Sequence, residues 1–352
     1  MNELVKSGTE KVLLIRMLSS ADVCSIGLPV LRYFQKTLPN AEIHFLTFAD
    51  GAELIKLAEP TVQVKQLTQE QWPDDFFLAM ESFLGLAEEI IGETYSQIVN
   101  LDTTFMPCFL ARFLMDAGEP VSGNYLNMSI QQLLQQVQDK SLHADYVNST
   151  QAFMASSFVN MHKWFSRWWQ YDAEYEGGYP EFYLTKCCGL VDDKLEQSIL
   201  VTADKRLIKK AKTNKVIGLC LGQSDDGYLY PYVGRLKKLL EQKGFAVWSD
   251  NDAKQNIGSL LKMLSASDLM VCKPSGHRWY AQAVDCATLL ISGVSEPSLL
   301  MPEFATDPVS PCMQHAVNDR NIDVLECNCD KPENLVESIE SIFIHINEQV
   351  GG

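Results

Sequence analysis

The stretch Lys11–Pro29, KVLLIRMLSSADVCSIGLP, decides the fold. Val12–Met17 reads as one apolar strand suited to burial on both faces. It stops at two serines, an alanine and Asp22, after which Ile26–Lys36 takes up helical spacing. A buried strand that hands the chain through a polar turn to a helix is the opening of a parallel α/β sheet. Asp22 then has two readings. It caps the helix, as aspartate commonly does, or it is a carboxylate presented at a strand end for chemistry.

Working outward, the rhythm repeats. Strands are expected at Ile43–Phe48, Val62–Leu67 and Ile98–Leu101, with helices at Glu53–Leu57, Asp74–Glu93 and 105–115 between and after them. The stretch 123–190 breaks the alternation. It is rich in Gln and Met and then aromatic (MHKWFSRWWQYDAEYEGGYPEFY), and it reads as helices and loops inserted late in a first domain, 1–202. Its aromatics suit either the core of that insertion or stacking on sugar rings. The basic segment DKRLIKKAKTNK falls in a linker, 203–215, and its cations form either a solvated helix face or an attraction to anionic lipid.

A second alternating series follows over 216–330. Strands are expected at Val216–Leu221, Phe245–Trp248, Leu269–Cys272, Thr288–Ile291 and Ile322–Leu325, with helices at Val233–Gln242, Ser259–Ser265 and Trp279–Val284. A closing amphipathic helix in 331–352, entered through Pro332, is expected to pack back on the first domain. Doubly wound sheets bind ligands beyond the carboxyl ends of their strands, so two of them imply a cleft between facing halves. Asp22, Gly222–Asp226 and Pro274–His277 all stand at such strand ends.

Bulk properties narrow the function. A chain of 352 residues exceeds one ordinary core. The formal charge of −16 opposes general nucleic-acid binding and leaves at most peripheral membrane contact. The first ten residues are polar and the apolar run at 12–18 is short, so a cytoplasmic protein is expected, at most at the inner face of the membrane. The ten cysteines are then reduced thiols, and their spacing contains no C-x-x-C pair. No G-x-G-x-x-G occurs, which disfavours a dehydrogenase. Asp250-Asn251-Asp252 spells a manganese-binding Asp-x-Asp but reads as a turn after a strand.

Several stretches together resemble glycosyltransferase family 9, the bacterial heptosyltransferases. They are VLLIRMLSSADVCSIGLPVLRYFQKTLPNAEIHFLT, YSQIVNL with FLARFL, LLKMLSASDLMV with SGHRWYAQAVDCATLLISGVSEP, and SPCMQH with CNCDKPENLVESI. The likeness is ordered along most of the chain apart from 123–190. It implies a GT-B fold, with an acceptor-side and a nucleotide-sugar-side Rossmann-like domain facing across a cleft. It implies an inverting, metal-independent transfer of a heptose or similar sugar to a hydroxyl of a bacterial surface saccharide such as lipopolysaccharide core. Donor and acceptor would be a nucleotide-sugar and a saccharide or lipid-linked saccharide, with no cofactor and no metal.

Carried over by position, the resemblance makes Asp22 the catalytic base, although Ala21 stands where the family has glycine. Lys273, Ser275, Gly276 and His277 would bind the donor, as would Gly222, Gln223 and Ser224 on the other phosphate loop. Ser20, Asp102 and Thr103 are candidates for acceptor hydroxyls. Three positions depart from the pattern. Pro274 replaces the donor-side aspartate, Trp279 a histidine, and Tyr228 a lysine. These departures motivate a second reading, a non-catalytic member that acts as a binding or partner module.

Overall fold

A computed structural model describes residues 10–68, 75–165, 179–190, 194–221, 230–250, 256–273, 275–291 and 331–350. The chain divides into two compact units, Met1–Trp168 with Pro180–Glu196, and Trp169–Tyr179 with Gln197–Gly352.

In unit 1 the sheet is built from β1 (Lys11–Ile15), β2 (Glu42–Phe48), β3 (Gln63–Leu67), β4 (Gln97–Asn100), β5 (Val121–Leu126) and β6 (Met154–Ser156). Their order is β3-β2-β1-β4-β5-β6, parallel except for the β5–β6 edge. The central strand β1 carries Val12, Leu13, Leu14 and Ile15, all fully buried, which is why the sequence there shows no alternation. Its last residue, Ile15, is in register with Leu46 on one side and Asn100 on the other. The strand order reverses between β1 and β4, so their carboxyl ends form the switch point where doubly wound sheets leave a crevice.

The helix after β1 is not regular. Ser20–Asp22 is one α-turn, Val23–Gly27 is π-helical, and Leu28–Thr37 continues as α-helix with Pro29 in its first turn. Helices Ala49–Ala58, Phe76–Gly92 and Phe105–Asp116 follow β2, β3 and β4. The stretch 123–190 differs from expectation. It is not helices and loops throughout, because Gly123–Leu126 lies in β5 and Met154–Ser156 forms β6, which extends the sheet, while short helices occupy much of the rest. Polar, Gln-rich flanks concealed β5 and the short edge strand β6, whose pairing is non-local. Gly123 shows how tightly β5 sits against β4. It has φ +92°, and a Cβ there would stand 2.1 Å from the Asn100 carbonyl oxygen.

Unit 2 contains β7 (Val216–Cys220), β8 (Ala246–Ser249), β9 (Leu269–Cys272) and β10 (Thr288–Leu290) in the order β10-β9-β7-β8, all parallel. Here the order reverses between β7 and β9. Helices Val233–Gln242, Ile257–Leu264 and His277–Ala283 connect the strands. The expected strand Ile322–Leu325 lies outside the described residues.

Two expectations about boundaries are corrected. The segment 203–215 is no free linker, because Asp204 caps a helix, Lys205–Ala211, whose Leu207 is buried within unit 2. The closing helix Pro332–Val350, expected to pack on the first domain, contributes to the core of unit 2. Its Leu335, Val336, Ile339, Ile342 and Phe343 belong to the core formed by Ile217, Leu219, Leu236, Leu240 and Leu269. An amphipathic helix matches any apolar face, so the sequence did not determine which one it covers. Among the described residues no helix is long and apolar enough to cross a membrane.

Gly123→Ala should lower stability by about 2–4 kcal/mol, since left-handed strain adds to a backbone clash. Gly118→Ala, at φ +93° but with open space around it, should cost only about 1 kcal/mol. Chemical denaturation of the two variants measures the difference, and equal costs would refute the close approach of β5 to β4.

Candidate active site

At the switch point of unit 1 the chain places a guanidinium in the interior. Arg16 directly follows β1 and is 2% exposed. Its NH2 donates to Asp22 Oδ1 at 3.0 Å, and its NH1 donates to the Leu101 carbonyl at 2.5 Å and faces Asp102 Oδ1 at 3.7 Å. The guanidinium also lies over the Tyr183 ring, 5.5 Å from its centroid. A buried cation of this kind persists only when carboxylates and carbonyls replace its water.

Asp22 is held from both sides. Oδ1 takes the Arg16 bond, and Oδ2 accepts from the Ser19 hydroxyl at 2.8 Å. Ser19 is the helix cap, accepting from the Asp22 amide at 3.2 Å, so the capping reading of Asp22 is corrected. The residue is only partly covered, its side chain 16% exposed. A carboxylate fixed at both oxygens yet open on one side can receive a hydrogen bond from an incoming hydroxyl. Ser20, two residues earlier, is likewise half-buried.

Asp102 does not fit the acceptor role expected of it. It is fully buried, with Oδ2 accepting from the Met17 amide at 2.5 Å and Oδ1 turned to Arg16. Burial outweighs the pull of Arg16 and pushes its carboxyl up to about 6. Thr103 is half-buried, and its carbonyl accepts from the Thr150 hydroxyl at 3.2 Å. Behind Asp102 the floor is a polar lattice. Asn100 Nδ2 donates to the Asn124 carbonyl at 2.7 Å and its Oδ1 accepts from the Asp102 amide at 3.1 Å. Asn124 Nδ2 donates to the Asp102 carbonyl and the Tyr183 hydroxyl, which itself donates to the Leu101 carbonyl at 2.7 Å.

In unit 2 the corresponding strand ends carry the donor-side candidates. Lys273 follows β9. Ser275 Oγ lies 3.2 Å from His277 Nδ1, Gly276 precedes the helix His277–Ala283, and His277 opens it. Burial pushes the His277 imidazole below its ordinary value and the Lys273 charge adds to this, while Asp250 opposes it. Trp279 is buried with the Arg278 guanidinium 4.2 Å from its ring centroid. Gly222, Gln223, Ser224, Tyr228 and Pro274 lie outside the described residues. Asp250 directly follows β8 and comes close to Cys220 and His277, whereas Asn251 and Asp252 are outside the described residues.

The seven described cysteines, Cys24, Cys108, Cys187, Cys188, Cys220, Cys272 and Cys286, are all buried. Burial raises the Cys24, Cys187, Cys272 and Cys286 thiols to about 12, as expected of small core residues. Sequence reasoning missed Arg16 and Ser19 in unit 1. A usable signal was present, because an arginine closing an otherwise apolar strand must find buried anions.

Neither a protein-family model nor a curated protein sequence matches the chain. Solved structures do. A glycosyl transferase of family 9 from Veillonella parvula aligns at a TM-score of 0.61 and 12% identity, covering 97% of this chain and 100% of that one. E. coli ADP-heptose LPS heptosyltransferase II gives a TM-score of 0.58 at 14% identity, covering 96% and 99%. E. coli heptosyltransferase WaaC, solved with ADP-2-deoxy-2-fluoro heptose, gives 0.50 at 14% identity, covering 82% and 90%. Likeness at this level of identity establishes the fold, a GT-B arrangement of two Rossmann-like domains.

Because Asp102 is harder to ionise folded than unfolded, the native chain holds its proton to higher pH. The associated stability is present below the unfolded value near 4 and is lost as pH rises through about 6. Wild type should therefore lose on the order of 2–3 kcal/mol relative to Asp102→Asn between pH 4 and pH 7. Paired denaturation curves across that range test this, and a pH-independent difference would refute it. Arg16→Met should cost roughly 3–5 kcal/mol at neutral pH by leaving buried carboxylates without their cation.

Proposed function

We propose that the protein is an inverting glycosyltransferase that moves a heptose or similar sugar from a nucleotide-sugar to a hydroxyl of a bacterial surface saccharide, such as lipopolysaccharide core. The observation that carries this is Asp22, a partly open carboxylate clamped by Arg16 and Ser19 at the switch point of unit 1. The GT-B fold and the heptosyltransferases that share it supply the context. One of those neighbours was solved with an ADP-sugar analogue, which supports a nucleotide-sugar as donor here.

In this reading Asp22 accepts the proton of the acceptor hydroxyl as its oxygen attacks the anomeric carbon. The bond from that carbon to the diphosphate oxygen breaks, and the electron pair leaves with the nucleotide. One displacement inverts the anomeric centre. Full deprotonation before attack is unnecessary, so a carboxylate suffices as base. Arg16 keeps the carboxylate oriented, and Ser19 fixes its other oxygen. The turn in unit 2 would hold the departing diphosphate through the Ser275 hydroxyl, the Gly276 amide and the Lys273 ammonium, because developing negative charge is stabilised by preset donors. The proton transfer itself calls on no metal. The acceptor is a saccharide, free or lipid-linked, and Ser20 and Thr103 are the residues assigned to its hydroxyls. Asp102 serves the base indirectly, by anchoring Arg16.

A second reading keeps the fold without catalysis. Its motive is the buried Trp279 where the family has a histidine. Nucleotide binding separates the two, because a ligand held by the native state raises Tm with its saturation.

Asp22→Asn should lower transfer, assayed with a panel of nucleotide-sugars, by about 10²–10⁴-fold while KM for the donor changes little. Unchanged turnover would remove the base assignment. Wild type should show a saturable thermal shift with at least one nucleotide-sugar. No shift with any of them would favour the non-catalytic reading.

A further inference from the structure

Three chemically different side chains meet at the carboxyl end of the second sheet. Cys220 closes β7, Asp250 follows β8, and His277 begins the helix after β9. β7 pairs with both flanking strands, Leu219 opposite Ser249 and Cys220 opposite Cys272, so the sheet register itself brings these residues to one place. One ligand atom from each, sulfur, carboxylate oxygen and ring nitrogen, lies within 4.8 Å of the other two. Tetrahedral zinc holds such donors about 3.3–3.6 Å apart, so shifts of about 1 Å in side-chain position would close the set around an ion.

The donor types are selective. Thiolate and imidazole favour zinc-class ions, and magnesium or calcium would take oxygen donors instead. The second shell is also in place. Ser275 Oγ lies 3.2 Å from His277 Nδ1. A proton on Nδ1 shared with that oxygen leaves the Nε2 lone pair for a metal, which is how ligating histidines are usually oriented. Cys220 is buried and Asp250 and His277 are half-buried, so an ion there would be shielded on the sheet side and reachable on the other.

We propose that Cys220, Asp250 and His277 form a three-ligand site for a zinc-class divalent ion, with the fourth position open. Binding forms a metal–sulfur bond and releases the Cys220 thiol proton to solvent. Thiolate and carboxylate balance the ion's two charges, and the neighbouring Lys273 leaves the open position suited to water or an anionic oxygen. The site departs from the metal-free chain expected from the sequence, where the Asp250 motif reads as a turn. It does not depend on the transferase reading, since Asp22 lies in the other unit and binding is measured without substrate.

The test uses the full chain, stripped with chelator and titrated with Co²⁺ as a spectroscopic probe and then with Zn²⁺ in competition. One equivalent of cobalt should bind with a thiolate-to-cobalt charge-transfer band. Cys220→Ser should abolish that band, His277→Gln should weaken zinc binding at least tenfold, and Ser275→Ala should weaken it by about tenfold through the outer shell. No charge-transfer band in wild type overturns the proposal. So does a band that survives in Cys220→Ser, which would assign the sulfur to another cysteine. Should Cys220→Ser lose its far-UV circular dichroism, His277→Gln decides, and zinc affinity equal to wild type there overturns it.

Discussion

The burial of Arg16 at the end of the central strand constrains everything around it in unit 1. A guanidinium that is 2% exposed must be surrounded by acceptors. Asp102 and the adjacent Leu101 carbonyl supply them from the end of β4, and Asp22 supplies another from the turn after β1. Asp102 in turn is fixed by the Met17 amide, and its backbone by Asn100 and Asn124. The strand ends at the switch point are thus tied together by charge-assisted bonds rather than by packing alone. Asp22 retains partial access to solvent, and it owes its orientation in part to the buried Arg16.

This arrangement separates two carboxylates that look alike in sequence. Asp22 and Asp102 both follow strands and both precede helices. Asp102 is fully enclosed, and its carboxyl is pushed up to about 6 by burial. Asp22 sits at the rim between Arg16 and Ser19. One anchors the cation and the other uses it. The division follows from depth: Asp102 lies two residues beyond Asn100, while Asp22 lies seven beyond Ile15, the residue paired with Asn100. A similar economy operates in unit 2, where Trp279 is packed under Arg278 while His277, two residues earlier, faces Ser275.

Much of the fold was legible locally. Apolar runs such as Val12–Ile15 and Leu269–Cys272, short and bounded by turn residues, mark strands buried on both faces. The helices Val233–Gln242 and Phe105–Asp116 follow from spacing and their flanking turns. What failed was local pattern without local cause. β5 and β6 carry little apolar alternation, and they exist because β4 offers an edge to β5 and β5 in turn offers one to β6. The helix Lys205–Ala211 looked like a linker because its cations conceal the single buried Leu207. The closing helix was recognisable as amphipathic, but its partner face was not.

The sequence by itself determined that two strand–helix series exist, that Asp22 lies in the polar turn after the first strand, and that a serine–glycine turn follows β9. These are properties of neighbouring residues, and periodicity records them. Only the tertiary structure decided that Arg16 is the cation behind Asp22, that Asp102 is sealed from any acceptor, and that Cys220, Asp250 and His277 share one corner. Those facts depend on strand order and register, which bring together residues tens of positions apart. Contact between distant residues leaves no period in a single chain, so it becomes visible only once the sheet is assembled.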